Sequence, residues 1–82
     1  MLLNALDARL ASLLADVIGT PLENVRADAS QSTMPEWDSV ANLGFIAAVE
    51  DEFRVSILTA EAMQLHSLAD MRALLERKGV TG

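Results

Sequence analysis

A long polar stretch ends at Glu36-Trp37-Asp38-Ser39-Val40, and an apolar-periodic run continues from there to Phe53. This junction constrains the fold more than any other part of the sequence. It sets where a helix starts, which face it buries and what stands at its first turn. Asp and Ser are favoured at helix starts because their side-chain oxygens accept from backbone N–H groups that lack a partner inside the helix. Phe45, Ile46, Val49 and Phe53 follow helical spacing and predict one core-facing stripe over residues 39–53. Val40, Leu43 and Ala47 lie beside it as a second, partly exposed apolar strip. Gly44 falls mid-helix, where it is about 1 kcal/mol less favourable than Ala. Either something approaches the helix closely there, or packing elsewhere stabilises it.

The run before the junction is also helical. Leu3, Leu6, Leu10, Leu13, Leu14 and Val17 recur at spacings of three and four, with Asp7, Arg9 and Asp16 on the wet face, over residues 3–18. Gly19 and Pro21 stop it. Thr20-Pro21-Leu22-Glu23 has the form of a capping box, with Pro at the first helical position of a short turn that Leu22 and Val25 pin to the core. Residues 28–35 are polar and unpatterned. The whole 20–37 loop is long for so small a domain, so it is either a spacer crossing the bundle or a segment with a task of its own.

After Phe53, Val55 and Ile57 of the connector turn inward, and Thr59 caps a short helix over 60–64 with Met63 facing the core. Ser67-Leu68-Ala69-Asp70 is a second capping box. It opens a last helix with Leu68, Met71, Leu74 and Leu75 as its stripe, cations Arg77 and Lys78 in its last turn, and Gly79 as its stop. The sum is an all-α four-helix bundle with a long loop between helices one and two and a short third helix. It forms a single domain over 1–82, with its core in about 3–78.

The composition agrees. Ala and Leu dominate, and Phe45, Phe53 and Trp37 are the only aromatics. Cys is absent, which excludes disulfides and thiolate metal sites, so any reactive thiol must come from a cofactor. Twelve Asp and Glu against six Lys and Arg give a net charge of −6, which repels nucleic-acid backbones and attracts basic partners. The Leu-rich start lacks a basic n-region and is broken by charges, unlike a signal peptide. No apolar run approaches the ~20 residues of a membrane span. A cytoplasmic monomer is expected.

Independent catalysis finds little support. His66, the single histidine, stands between two helices as a solvated loop or cap residue. A Ser39–His66–acid set would still need an oxyanion hole and a pocket. The acids show no calcium-loop spacing. Glu50, Asp51 and Glu52 form either a solvated face or a docking surface for Lys and Arg of a partner. Ser39 differs from these groups. At a helix start, free N–H groups and the positive dipole end favour an anion, and an exposed hydroxyl there is open to a modifying enzyme. Asp38 beside it is suited to capping and to helping hold a divalent ion. Asp-Ser before a helix is also the commonest kind of cap, so the pair alone does not mark a modified serine.

The wider pattern decides between the two. Asp38-Ser39-Val40, the helix closing on Val49-Glu50-Asp51-Glu52-Phe53-Arg54-Val55, the Leu-rich first helix, the long loop, the short third helix and Ser67-Leu68-Ala69-Asp70 together resemble the acyl carrier protein family across about residues 3–78. The resemblance implies that Ser39 receives 4′-phosphopantetheine from coenzyme A through a separate phosphopantetheinyl transferase. It implies that the arm's thiol carries an acyl group as a thioester, and that the chain itself is not an enzyme. It also implies docking to an acyl- or aminoacyl-loading enzyme and a downstream synthase or transferase. That docking would use Val40, Ala41, Leu43, Gly44 and Ala47, with Glu50 and Asp51 at the edge, and a sheltered cargo would need apolar space beside Val40, Leu43, Ile57 and Met63. Family members commonly have Gly two residues before Asp-Ser-Leu, where this chain has Glu36-Trp37-Asp38-Ser39-Val40, similar to small free-standing carriers of specialised pathways. Ala41, Asn42 and Gly44 carry no charge where fatty-acid carriers are acidic, which favours a dedicated, more apolar partner set. Polyketide, specialised lipid or surface-polysaccharide synthesis fits best. An aminoacyl or peptidyl carrier is the first alternative, and a cofactor-free acidic helical adaptor is the second.

Overall fold

The computed structural model describes residues 5–26 and 28–80. Among them stand four helices, α1 (Ala5–Ile18), α2 (Ser39–Phe53), α3 (Thr59–Ala62) and α4 (Leu68–Arg77), with a 3-10 turn at Leu22–Asn24. No strand occurs among the described residues. One isolated antiparallel bridge joins Ser30 to Ser67. The all-α bundle with its long first loop and short third helix is therefore the architecture observed.

The core forms where α1 packs on both α2 and α4. Leu6, Leu10, Ala11, Leu14 and Ala15 of α1 meet Phe45, Ile46 and Val49 of α2 and Leu68, Met71, Leu74 and Leu75 of α4. Leu13 and Val17, expected on the same stripe, are half-buried at its margin, and Leu3 lies outside the described residues. Gly44 has a structural reason. A Cβ there would stand 3.3 Å from Val17 Cγ1, so the bare backbone lets α1 and α2 approach closely.

The wet-face assignment of α1 needs correction at two positions. Asp7 pairs with Arg72 of α4 at 3.4 Å, and Arg9 bonds Glu52 of α2 at 2.7 Å while its guanidinium covers the Phe53 ring at 4.3 Å. These pairs link α1 to both neighbours. The Arg9–Glu52 pair is solvent-screened and adds at most about 1 kcal/mol, whereas in the other pair the Asp7 side chain is 15% exposed and Arg72 Nε is buried.

The helix ends follow local chemistry. Gly19 takes φ 70 and Gly79 φ 88, the left-handed conformation that closes a helix without a Cβ penalty. Arg54 closes α2 at φ 57, which is disfavoured for a side chain by about 1–2 kcal/mol. The Glu50 carboxylate accepts from the Ile57 N–H at 2.9 Å and ties the connector down beyond that corner. Val55 and Ile57 are half-buried, as expected.

Three caps differ from their sequence patterns. Thr20 does not cap the 3-10 turn, whose N-cap is Pro21, and Leu22 is exposed while Val25 alone is buried. Thr59 is the first residue of α3 rather than its cap, and Glu61 stabilises the start by accepting from the Leu58 N–H at 2.9 Å. That bond, with Lys78 beside it at 3.0 Å, holds the Glu61 carboxyl below its ordinary value. At α4 half of the capping box forms. Ser67 accepts from Asp70 N, but Asp70 reaches back to His66 N.

Met63 was expected in the core and is exposed, and Leu65 is buried in its place. Met63 continues the helical conformation one residue past Ala62, with its N–H bonded to the Thr59 carbonyl, and at that position its side chain points to solvent.

The long loop is not a bare spacer. Ala29, Met34 and Trp37 are buried, and the loop backbone is stitched to the start of α4 through Gln31 N to His66 O and Leu68 N to Ala29 O. The His66 ring meets Gln31 Oε1 at 3.1 Å, which makes it an exposed but fixed loop residue.

Candidate functional site

Ser39 is the first residue of α2 and is exposed. The cap comes from Asp38, whose Oδ1 accepts from the Ala41 N–H at 2.8 Å. The serine hydroxyl therefore stands at the helix start without serving as its cap. Helix geometry leaves the Ser39 and Val40 N–H groups without carbonyls to bond. Together with the dipole they offer an anion at this end both hydrogen bonds and a positive field.

The chain entering the helix is anchored by Trp37, which is 1% exposed. Its ring meets Phe45 edge-on with centroids 5.5 Å apart, and its Nε1–H donates to Asn42 Oδ1 at 3.0 Å. Asn42 Nδ2 lies 3.5 Å from the Leu65 carbonyl, in the link between α3 and α4. The start of α2 therefore stands beside that link.

Apolar side chains remain exposed around this end. Val40 and Leu43 on α2 are 78% and 68% exposed, and Leu58 and Met63, flanking α3, are 65% and 69% exposed. Ala47 and Gly44 are exposed and Ala41 is half-buried. Of the acids, Asp51 is free-standing on the surface, Glu50 is engaged by Ile57 N, and Glu52 by Arg9. Sequence reasoning missed Leu58, Asn42 and Leu65. The first sits in a connector without a pattern. The other two meet through the bond of the Asn42 amide to the Leu65 carbonyl, 23 residues apart, which no spacing announces.

A groove of about 480 Å³ lies between α3 and α4, lined by Ala60, Glu61, Gln64, Leu65, Asp70, Ala73 and Arg77. It includes none of Val40, Leu43, Ile57 and Met63. Among the described residues no cluster of three or more His, Asp or Glu is placed to hold a metal ion, and no helix is long and apolar enough to cross a membrane.

The fold and the site define a small helical protein that presents an exposed serine hydroxyl at a helix start capped by its neighbour, with exposed Val40 and Leu43 following on the same helix. The chain is similar to an acyl carrier protein of Akkermansia muciniphila, with 28% identity over 74 residues that span 90% of this chain and 92% of that protein. No family model matches it. The likeness supports kinship with the acyl carrier family.

Proposed function

We propose that this chain is a carrier protein and that Ser39 is the attachment point of 4′-phosphopantetheine, transferred from coenzyme A by a separate enzyme. The observation that carries this is the exposed Ser39 hydroxyl at the first position of α2, with Asp38 and not the serine supplying the cap. The likeness to an acyl carrier protein over most of both chains supports it. The residues present fit such a group. The hydroxyl is open to attack the pantetheine-side phosphorus of the coenzyme A pyrophosphate, with its proton passing to a base of the transferase and adenosine 3′,5′-bisphosphate leaving as the P–O–P link breaks. The N–H groups of the first turn would favour the resulting phosphodiester, and Asp38 would help hold a divalent ion during transfer. When bound, the arm supplies the thiol that this Cys-free chain lacks and holds an acyl group as a thioester.

Val40, Ala41, Leu43, Gly44 and Ala47 form the docking strip for the transferase, the loading enzyme and the downstream synthase. Glu50 and Asp51 stand at its edge. Since Glu50 and Glu52 are engaged within the molecule, apolar contact dominates recognition, as expected of a dedicated partner set in polyketide, specialised lipid or surface-polysaccharide synthesis.

Intact mass after incubation with coenzyme A, Mg and a broad-specificity phosphopantetheinyl transferase tests the proposal. A gain of one phosphopantetheine, absent in Ser39→Ala, is expected. No gain on a folded chain overturns it and favours the cofactor-free adaptor. Loading assays with acyl and aminoacyl ligases then assign the cargo.

A further inference from the structure

The first turn of α2 has little packing of its own. Asp38, Ser39 and Val40 are exposed, Ala41 and Asn42 are half-buried, and Phe45 is the first buried residue of the helix. The core reaches this turn through buried Trp37 before Ser39 and half-buried Ala41 after it, and further contacts are needed to hold the Ser39 hydroxyl between them. Asn42 makes three contacts that do so. Its Oδ1 accepts from the indole N–H of buried Trp37, two residues before Ser39. Its Nδ2 faces the Leu65 carbonyl in the α3–α4 link, and its own N–H donates to the Asp38 carbonyl at 2.8 Å, immediately before Ser39. The side chain thus joins Trp37 of the entering segment to the α3–α4 link, and the backbone bond is the ordinary one of the first helical turn.

We propose that Asn42 is a positioning residue, which through Trp37 locks the first turn of α2 so that a modifying enzyme meets the Ser39 hydroxyl in one pose. The inference rests on the carrier reading of Ser39. The physical reason is that an acceptor for a buried indole N–H is obligatory, so the Trp37–Asn42 bond holds as long as the core does. Reactions between bound groups are sensitive to sub-ångström placement of the attacking atom. Asn42 is half-buried and lies off the exposed Val40–Leu43 strip, so its removal acts on the reacting geometry rather than on docking.

Steady-state transfer to Ser39 by a broad-specificity phosphopantetheinyl transferase, at a temperature where circular dichroism shows each variant folded, separates the two effects. In Asn42→Leu, kcat is expected to fall roughly tenfold or more with KM within about twofold of the unaltered chain, and Asn42→Asp, which keeps the acceptor for the indole, restores most of kcat. Should Asn42→Leu not fold, Trp37→Phe combined with Asn42→Leu removes donor and acceptor together and leaves no buried polar group unpaired. The same kcat loss is expected there. An unchanged kcat, a rise in KM alone, or a loss that Asn42→Asp does not repair overturns the positioning role while leaving the carrier reading intact. A folded, unaltered chain that accepts no phosphopantetheine overturns both.

Discussion

The α1–α4 side of the molecule and the end where α2 begins beside the α3–α4 link are made from the same kinds of residue, used in opposite ways. On the first, Leu10, Leu14, Leu68, Met71 and Leu75 are almost wholly removed from water. On the second, Val40, Leu43, Leu58 and Met63 stay roughly two-thirds or more exposed. Full burial of one such side chain is worth about 1.5–3 kcal/mol, so four left in water are stabilisation the fold does not take. One exposed aliphatic residue is ordinary. Four such residues, two on α2 and two flanking α3, are the ones assigned above to the proposed contact surface or to its neighbourhood. The comparison teaches that apolar pattern alone does not assign burial. α2 is apolar on two faces, and only the one meeting α1 is filled.

Three variants, two single and one double, break or sharpen the contrast. Trp37→Ala should have the largest effect. It removes a fully buried ring beside Phe45 and should cost about 3–5 kcal/mol in urea unfolding, a large share of the stability of so small a domain. A loss under about 1 kcal/mol would mean that the loop is not part of the core. Asp38→Ala is expected to cost about 1 kcal/mol by the same measurement, because Ala41 N loses its acceptor. A null result would show that Ser39 can take over as cap. Leu43→Ser together with Met63→Ser should change stability least, each within about 0.5 kcal/mol, while weakening binding to whichever enzyme acts on Ser39. A clear drop in melting temperature without loss of binding would place these side chains in the fold rather than in recognition.

How much of this was legible depended on element length. α1, α2 and α4 each run for ten residues or more, long enough for a stripe to repeat. Accordingly Phe45, Val49, Leu68 and Leu75 were assigned correctly, and the bounds of α2 matched. α3 has four residues, barely one turn. No stripe can declare itself there, which is why Met63 was placed inside and Leu65 overlooked. The loop residues Ala29, Met34 and Trp37 are buried singly by contacts across the chain, a signal that periodicity does not carry. Caps misled where a cap-type residue lay one position away from the true N-cap. Glu61, not Thr59, satisfies the start of α3, and Pro21 displaces Thr20 before the 3-10 turn. At the candidate site Ser39 and Asp38 were visible as residue types in sequence. The indole–amide bond between Trp37 and Asn42 was not, because it depends on burial that only the folded chain creates.

Trp37 is the only tryptophan in the chain, and it lies two residues from Ser39 with its ring edge-on to Phe45 and its N–H bonded to an amide. The molecule thus carries an intrinsic fluorophore at the place where change matters most. Emission wavelength and quenching by iodide will follow the opening or tightening of that helix start in the unlabelled protein, including any that accompanies the proposed modification of Ser39.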